Sequence, residues 1–271
     1  MSDWTFDSIP DQSGRTAIVT GANTGIGYET ARALARRGAA VILACRDADK
    51  GRAAAERIRA EGAAGAVTVE ALDLSDLDSV RAFAERFAAA HDRLDLLINN
   101  AGVMVPPKGQ TRQGFELQFG TNHLGHFALV ARLLPLLRRT AGARIVVVSS
   151  NAHHGGRIDL GDLQFERRGY RAWAAYCQSK LANLLFALEL QRRLDAVGGG
   201  PLVTAAHPGW TATDLQRTMG IARLFNPLMA MRPEEGALPT LRAATDPAAR
   251  GGEYFGPRGL FELRGRPERA R

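Results

Sequence analysis

Thr16-Ala17-Ile18-Val19-Thr20-Gly21-Ala22-Asn23-Thr24-Gly25-Ile26-Gly27 is the stretch whose reading decides the fold. Residues 16–20 form a short apolar run bounded by turn residues, the pattern of a buried strand. Residues 26–37 carry Ala, Leu and Arg in a helical pattern. Between them lie Gly21, Gly25 and Gly27, in a spacing that departs from the usual G-x-G-x-x-G. Glycines at a strand-to-helix turn let the backbone bend sharply and approach a pyrophosphate at the helix N-terminus, where unpaired N–H groups point. Gly21, Asn23, Thr24, Gly25, Ile26 and Gly27 are therefore candidate cofactor contacts.

Outward from this unit the pattern repeats. Strand-like runs are expected at 16–20, 40–44, 66–72, 94–99, 144–149, 202–206 and 252–255, and helices at 26–37, 48–60, 76–90, 115–139, 173–196 and 233–244. Strands alternating with helices imply parallel pairing with helices on both faces, and near-continuous apolar strands such as Ile145-Val146-Val147-Val148 suit a sheet covered on both sides. The expected fold is α/β, a Rossmann-type doubly wound parallel sheet of about seven strands in one domain spanning 1–271, with 1–13 and 257–271 as peripheral termini. Two longer irregular stretches, 151–170 and 210–232, follow the carboxyl ends of strands, where open parallel sheets bind ligands.

Composition narrows the class. With 45% hydrophobic and 23% charged residues the chain reads as globular. The formal charge of +7 is spread along helices and the tail instead of forming one run, so no nucleic-acid partner is expected. Only Cys45 and Cys177 occur, which argues against a disulfide framework and for a reducing cytoplasm. Residues 1–13 lack a signal-peptide pattern, and no uninterrupted apolar run reaches a membrane span, so neither secretion nor a membrane partner is expected. His153-His154 lack a nearby cysteine or spaced carboxylate, so no metal is expected.

Tyr176 and Lys180 stand four residues apart, which on a helix places a phenol beside an ammonium. An adjacent positive charge favours the phenolate and lowers the phenol's pKa, fitting it for general acid/base work. At the end of the second strand Arg46 suits the 2′-phosphate of NADP, whereas the neighbouring Asp47 would suit the ribose hydroxyls of NAD. NADP(H) is expected, NAD(H) less so. Asp73 and Leu74 close the third strand, and Asn100, Ala101 and Gly102 close the fourth, as further cofactor contacts.

These motifs, in this order, resemble the short-chain dehydrogenase/reductase family: TGANTGIG at 20–27, Asp73, NNAG at 99–102, Asn122 in TNHLGHF, VVVSS ending at Ser150, YCQSK at 176–180 and HPGWTATD at 207–214. The resemblance covers roughly residues 14 to 256. It implies a catalytic tetrad in which Tyr176 is the general acid/base and Ser150, with Ser149 as the adjacent alternative, polarises the carbonyl. Lys180 lowers the Tyr176 pKa and holds the nicotinamide ribose, and Asn122 orders a water in the proton relay. Pro208, Gly209, Thr211 and Thr213 are implied near the nicotinamide carboxamide and phosphates.

The gap from Ser150 to Tyr176 exceeds the family's usual dozen or so residues, and with ACRD and AYCQSKLAN it resembles the retinol dehydrogenase, WW-domain oxidoreductase and protochlorophyllide reductase branch. Retinoid enzymes of that branch commonly carry a membrane anchor, which turns the expectation away from retinol itself. The implied activity is reversible hydride transfer between NADP(H) and a carbonyl or secondary alcohol, most simply reduction of a ketone or aldehyde on an apolar small-molecule substrate. Reduction of an enone C=C bond and a non-catalytic cofactor-binding regulator are the alternatives. Apolar residues between 215 and 231 fit either core packing or a lid, and the chain is expected as a homodimer or monomer.

Overall fold

In the computed structural model, which describes residues 3–211 and 230–270, the turn at Gly21 joins β1 (Thr16–Thr20) to α1 (Gly25–Arg36). The chain continues through β2 (Ala40–Cys45), α2 (Ala48–Ala60), β3 (Val67–Ala71), α3 (Leu77–Ala90) and β4 (Leu96–Asn99). A short helix α4 (Leu117–Phe119), a π-turn (Gly120–Leu124) and α5 (Gly125–Arg139) lead to β5 (Arg144–Val148). Then come α6 (Ala172–Ala196), β6 (Leu202–Ala206), α7 (Pro233–Thr245), β7 (Tyr254–Pro257) and β8 (Pro267–Arg269).

The strands form one sheet in the order β3-β2-β1-β4-β5-β6-β7-β8, parallel from β3 through β7. Side-chain alternation sends Ala17, Val19, Val41, Leu43 and Ile98 to one face, where Leu34, Ile58 and Leu241 of α1, α2 and α7 cover them. Ile18, Ile42, Leu97, Ile145 and Val147 face the other way, under Phe83, Phe87, Leu133 and Leu194 of α3, α5 and α6. Each of the Val, Ile, Leu and Phe side chains, fully buried, contributes about 1.5–3 kcal/mol. β1 pairs with both β2 and β4, so the connections diverge at the carboxyl ends of β1 and β4 and open a crevice there.

Three expectations are refined. An eighth strand pairs antiparallel with β7, Phe255 opposite Arg269. Its three residues, Pro-Glu-Arg, carry no apolar alternation to announce it. The termini are not peripheral: Trp4 and Ile9 are buried, Gln12 N–H donates to Arg37 O at 2.7 Å, and β8 belongs to the sheet. The helix expected at 115–139 runs from 117 to 139, but it carries a π-turn at Gly120–Leu124 around Asn122. Such turns put an extra residue into the helical path and recur at functional sites.

Candidate active site

The crevice holds a cavity of about 650 Å³. On one side the glycine-rich turn supplies its wall. Gly21 has φ +66°, a left-handed conformation that favours glycine. A side chain at Gly27 would collide with the Gly21 carbonyl and the Asn100 amide, so α1 and β4 approach each other only because residue 27 has no Cβ. Thr20 ties the two strand ends together: its Oγ1 accepts from Asn100 N (2.9 Å) and Ala101 N (3.0 Å), while Asn100 Nδ2 donates to Thr20 O (2.9 Å). Asp47 and Asp76 cap α2 and α3 through their side chains, but α1 starts with no side-chain cap, leaving its first turn to face the cavity. An uncapped helix N-terminus at a glycine turn suits a phosphate, so the residues present fit a dinucleotide.

Asn23, Thr24, Gly25, Ile26, Gly102, Pro208, Gly209 and Thr211 also line this cavity, as do Ser150, Tyr176 and Lys180. Arg46, Asp73, Leu74 and Asn122 do not, and Thr213 lies outside the described residues, as does most of the 210–232 segment. Arg46 is exposed just past β2. Its neighbour Asp47 is engaged elsewhere, accepting from Lys50 N at 3.0 Å and pairing with Lys50 Nζ at 3.0 Å. Asp73 Oδ1 accepts from Ser75 N (2.8 Å) and Ser75 Oγ (2.6 Å), and Leu74 is buried beneath α5.

The opposite wall carries the reactive side chains. Tyr176, in the second turn of α6, is 5% exposed and shares the cavity wall with Ser150, whose hydroxyl acts to lower its pKa. Ser149 is turned away, its Oγ donating to Lys180 O at 2.7 Å, which separates the two serines that the sequence left adjacent. Lys180 is 3% exposed, with Nζ donating to Val148 O at 3.2 Å and standing 5.7 Å from the Tyr176 ring centre. Burial pushes Tyr176 up to about 12 against the Ser150 hydroxyl, and it pushes Lys180 down to about 8. At neutral pH the phenol is protonated, because desolvation of its anion outweighs an ammonium that is itself poorly solvated.

Asn122 sits in the π-turn, fully buried. Its Oδ1 accepts from Val103 N (2.7 Å) and its Nδ2 donates to Val103 O (2.9 Å) and Ser179 Oγ (2.9 Å), clamping the irregular segment after β4 to α6 beside Lys180.

The sequence reading missed the supports of the outer wall. Glu116, 1% exposed, accepts from Gln118 N, Phe119 N and Tyr170 Oη, and Gln118 donates to Ala172 O at 2.8 Å, so the long insertion is seated on α4. His207 Nε2 lies 3.0 Å from Glu262, and Gly209 N donates to His207 Nδ1 at 3.3 Å. Trp210 N donates to Leu263 O (2.7 Å) and Asn151 Nδ2 to Phe261 O (2.9 Å), bringing Leu263 into the cavity wall with Met104, Trp173 and Trp210. Phe261 and Glu262 both have left-handed φ (+52° and +54°), a conformation costing about 1–2 kcal/mol per non-glycine residue. The histidine in HPG was a visible signal, but its partner lies 55 residues away.

A doubly wound sheet with a glycine turn at its crevice and Ser, Tyr and Lys on the facing wall defines a nicotinamide-dependent oxidoreductase of the dehydrogenase type. The chain belongs to the short chain dehydrogenase family, whose model matches residues 15–223. It is 49% identical over 253 residues to human retinol dehydrogenase 13, covering 89% of this chain and 76% of that one. It is 45% identical over 258 residues to mouse polyprenol dehydrogenase, covering 91% and 77%. Among solved structures, an uncharacterized protein of Mycobacterium paratuberculosis superposes with a TM-score of 0.83 at 47% identity, over 100% of this chain and 90% of that one. The Pseudomonas aeruginosa RhlG/NADP active-site complex gives 0.71 at 29% identity, over 91% and 95%. The chain is thus an NAD(P)-dependent short-chain dehydrogenase/reductase acting on CH–OH donors, in a retinol dehydrogenase-like branch. No helix among the described residues is long and apolar enough to cross a membrane.

Proposed function

We propose that the protein is an NADP(H)-dependent reductase converting an apolar ketone or aldehyde to its alcohol, with Tyr176 as general acid. The observation carrying this reading is the Ser150–Tyr176 pair, two hydroxyl side chains with Lys180 on the wall of a cavity shared by a helix N-terminus and apolar side chains. When bound, the nicotinamide supplies the hydride. Ser150 and Tyr176 aim donors at a carbonyl oxygen, where negative charge grows as the carbon is reduced. The phenol, held protonated by burial, is in the form that gives a proton to the carbonyl oxygen. Lys180, with Nζ 5.7 Å from the centre of the Tyr176 ring, then stabilises the phenolate left behind, and Asn122 keeps the relay around Lys180 in register.

The cofactor preference is supported by Arg46, an exposed guanidinium at the carboxyl end of β2 that can pair with a phosphate, and by Asp47 being spent on capping α2. Relatives named for retinol and polyprenol support a long apolar alcohol–carbonyl pair, and Met104, Trp173, Trp210 and Leu263 suit one. Two unpaired buried cysteines fit a reducing cytoplasm. The test is loss of NADPH absorbance across aldehydes, polyenals, ketones, quinones and enones, beside Tyr176→Phe. Alcohol products that disappear with the variant support the reading. A saturated ketone formed from an enone would replace it with C=C reduction, and a preference for NADH would overturn the cofactor assignment.

A further inference from the structure

We infer that His126 is a positioning residue for the proton relay, fixing the Asn122 carbonyl through a neutral imidazole of defined tautomer. This rests on the catalytic reading of Asn122, Tyr176 and Lys180 given above.

His126 lies in the first turn of α5, 1% exposed, immediately after the π-turn. Both ring nitrogens are engaged. Nδ1 is 3.0 Å from Asn122 O and Nε2 is 2.9 Å from Thr20 Oγ1. A carbonyl oxygen only accepts, so Nδ1 carries the proton. Thr20 Oγ1 already accepts from Asn100 N and Ala101 N, which fills its two lone pairs, so its single proton points outward. Two acceptors are in reach, Ile98 O at 3.3 Å and His126 Nε2 at 2.9 Å, and the shorter contact takes it. The ring is therefore the Nδ1–H tautomer, receiving at Nε2 and donating at Nδ1. A second ring proton would leave Nε2–H facing a hydroxyl with no lone pair to offer. The titratable groups facing the ring, the Lys180 ammonium of α6 and, when protonated, His123 of the π-turn, oppose that proton as well.

The consequence is mechanical. Thr20 holds the strand ends on the cofactor side, and Asn122 clamps Val103 and Ser179 next to Lys180. His126 is the rod between them. A π-turn has more than one way to place its carbonyls, and the imidazole selects the one that keeps Asn122 in line with α6. Removing the rod should disturb proton supply to Tyr176 and leave the cofactor's own contacts in place.

Three variants separate this role from simple core filling. His126→Asn keeps an N–H at the Nδ1 position, His126→Gln keeps a polar group only at the Nε2 position, and His126→Leu keeps neither. With wild type and Tyr176→Phe in the same assay, His126→Leu and His126→Gln should lower kcat by about 10- to 100-fold, the scale of a catalytic group displaced by about 1 Å. KM for NADPH should stay within about threefold, the pH profile of kcat should shift, and His126→Asn should recover most of the rate. Equal kcat in all three variants, at the wild-type level or uniformly depressed, overturns the inference, as does Gln rescuing better than Asn. Should His126→Leu fail to fold, the Asn–Gln contrast decides alone. An inert wild type, or an active Tyr176→Phe, instead overturns the catalytic reading and takes this inference with it. A Tyr176-dependent wild type beside unaffected His126 variants removes the inference alone.

Discussion

The two walls of the cavity are built by different means. The cofactor wall is assembled from short-range pieces: a five-residue strand, a glycine turn, the first turn of α1 and the end of β4, locked by one threonine hydroxyl. The substrate wall is assembled across long sequence separations: Glu116 to Tyr170 spans 54 residues, His207 to Glu262 spans 55, and Asn151 to Phe261 spans 110. Backbone sterics dictate the first wall, so few sequences serve. Side-chain clamps hold the second, so its shape can change with a few substitutions while the sheet stays intact. The seam between them is where the chemistry sits.

Three substitutions test that division, beginning at the seam. Tyr176→Phe should cut kcat/KM on the order of 10³-fold for every substrate alike, with NADPH affinity, read by fluorescence titration, nearly unchanged. A loss confined to some substrates would put Tyr176 in the substrate wall instead. On the cofactor wall, Gly27→Ala should weaken NADPH binding about 10- to 100-fold, because the added methyl must force apart Gly21 and Asn100 at about 1–3 kcal/mol. Its effect should be the same whatever the carbonyl. Arg46→Ala should lower the NADPH-to-NADH ratio of kcat/KM about tenfold by removing one charge-assisted phosphate contact, without affecting NADH. A matching loss with NADH would mean that Arg46 merely supports the strand end.

The division also explains what could be read from the chain. TGANTGIG was legible because φ at Gly21 and space at Gly27 are local demands that glycine alone meets. The strands were legible because burial on both faces demands apolar runs such as residues 145–148. The Tyr176–Lys180 pairing followed from helical spacing, but its electrostatics did not. Spacing places the ammonium, whereas the depth of burial, a property of the packed sheet, decides that the phenol rises and the lysine falls. His126, Glu116 and Glu262 were illegible for one reason: each acts through a partner that only the fold supplies. The eighth strand was hidden because pairing with β7, not its own composition, makes it a strand.

The smallest effects belong to the clamp that shapes the substrate wall. Gly209 N donates to His207 Nδ1, so the ring proton is on Nε2 and is donated to the Glu262 carboxylate. Burial pushes His207 down to about 4 even though Glu262 pulls the other way, so at neutral pH this is a neutral ring hydrogen-bonded to an anion. Glu262→Ala should free the strained Phe261–Glu262 pair and loosen Leu263, changing KM for bulky apolar carbonyls by about three- to tenfold while small aldehydes and NADPH are spared. Uniform effects would show that the clamp serves the fold alone. The pH dependence adds a finer test. His207 and His126, both at about 4 in the native chain, bind fewer protons there than in the unfolded chain, whose histidines titrate near 6.5. Stability therefore falls as pH drops from about 6.5 through about 4. Glu262→Gln keeps an acceptor for Nε2–H but removes the anion that raises the His207 value, so it should leave Tm at pH 8 almost unchanged and steepen the fall between those limits. A shallower fall would mean that His207 is already protonated in the native pair.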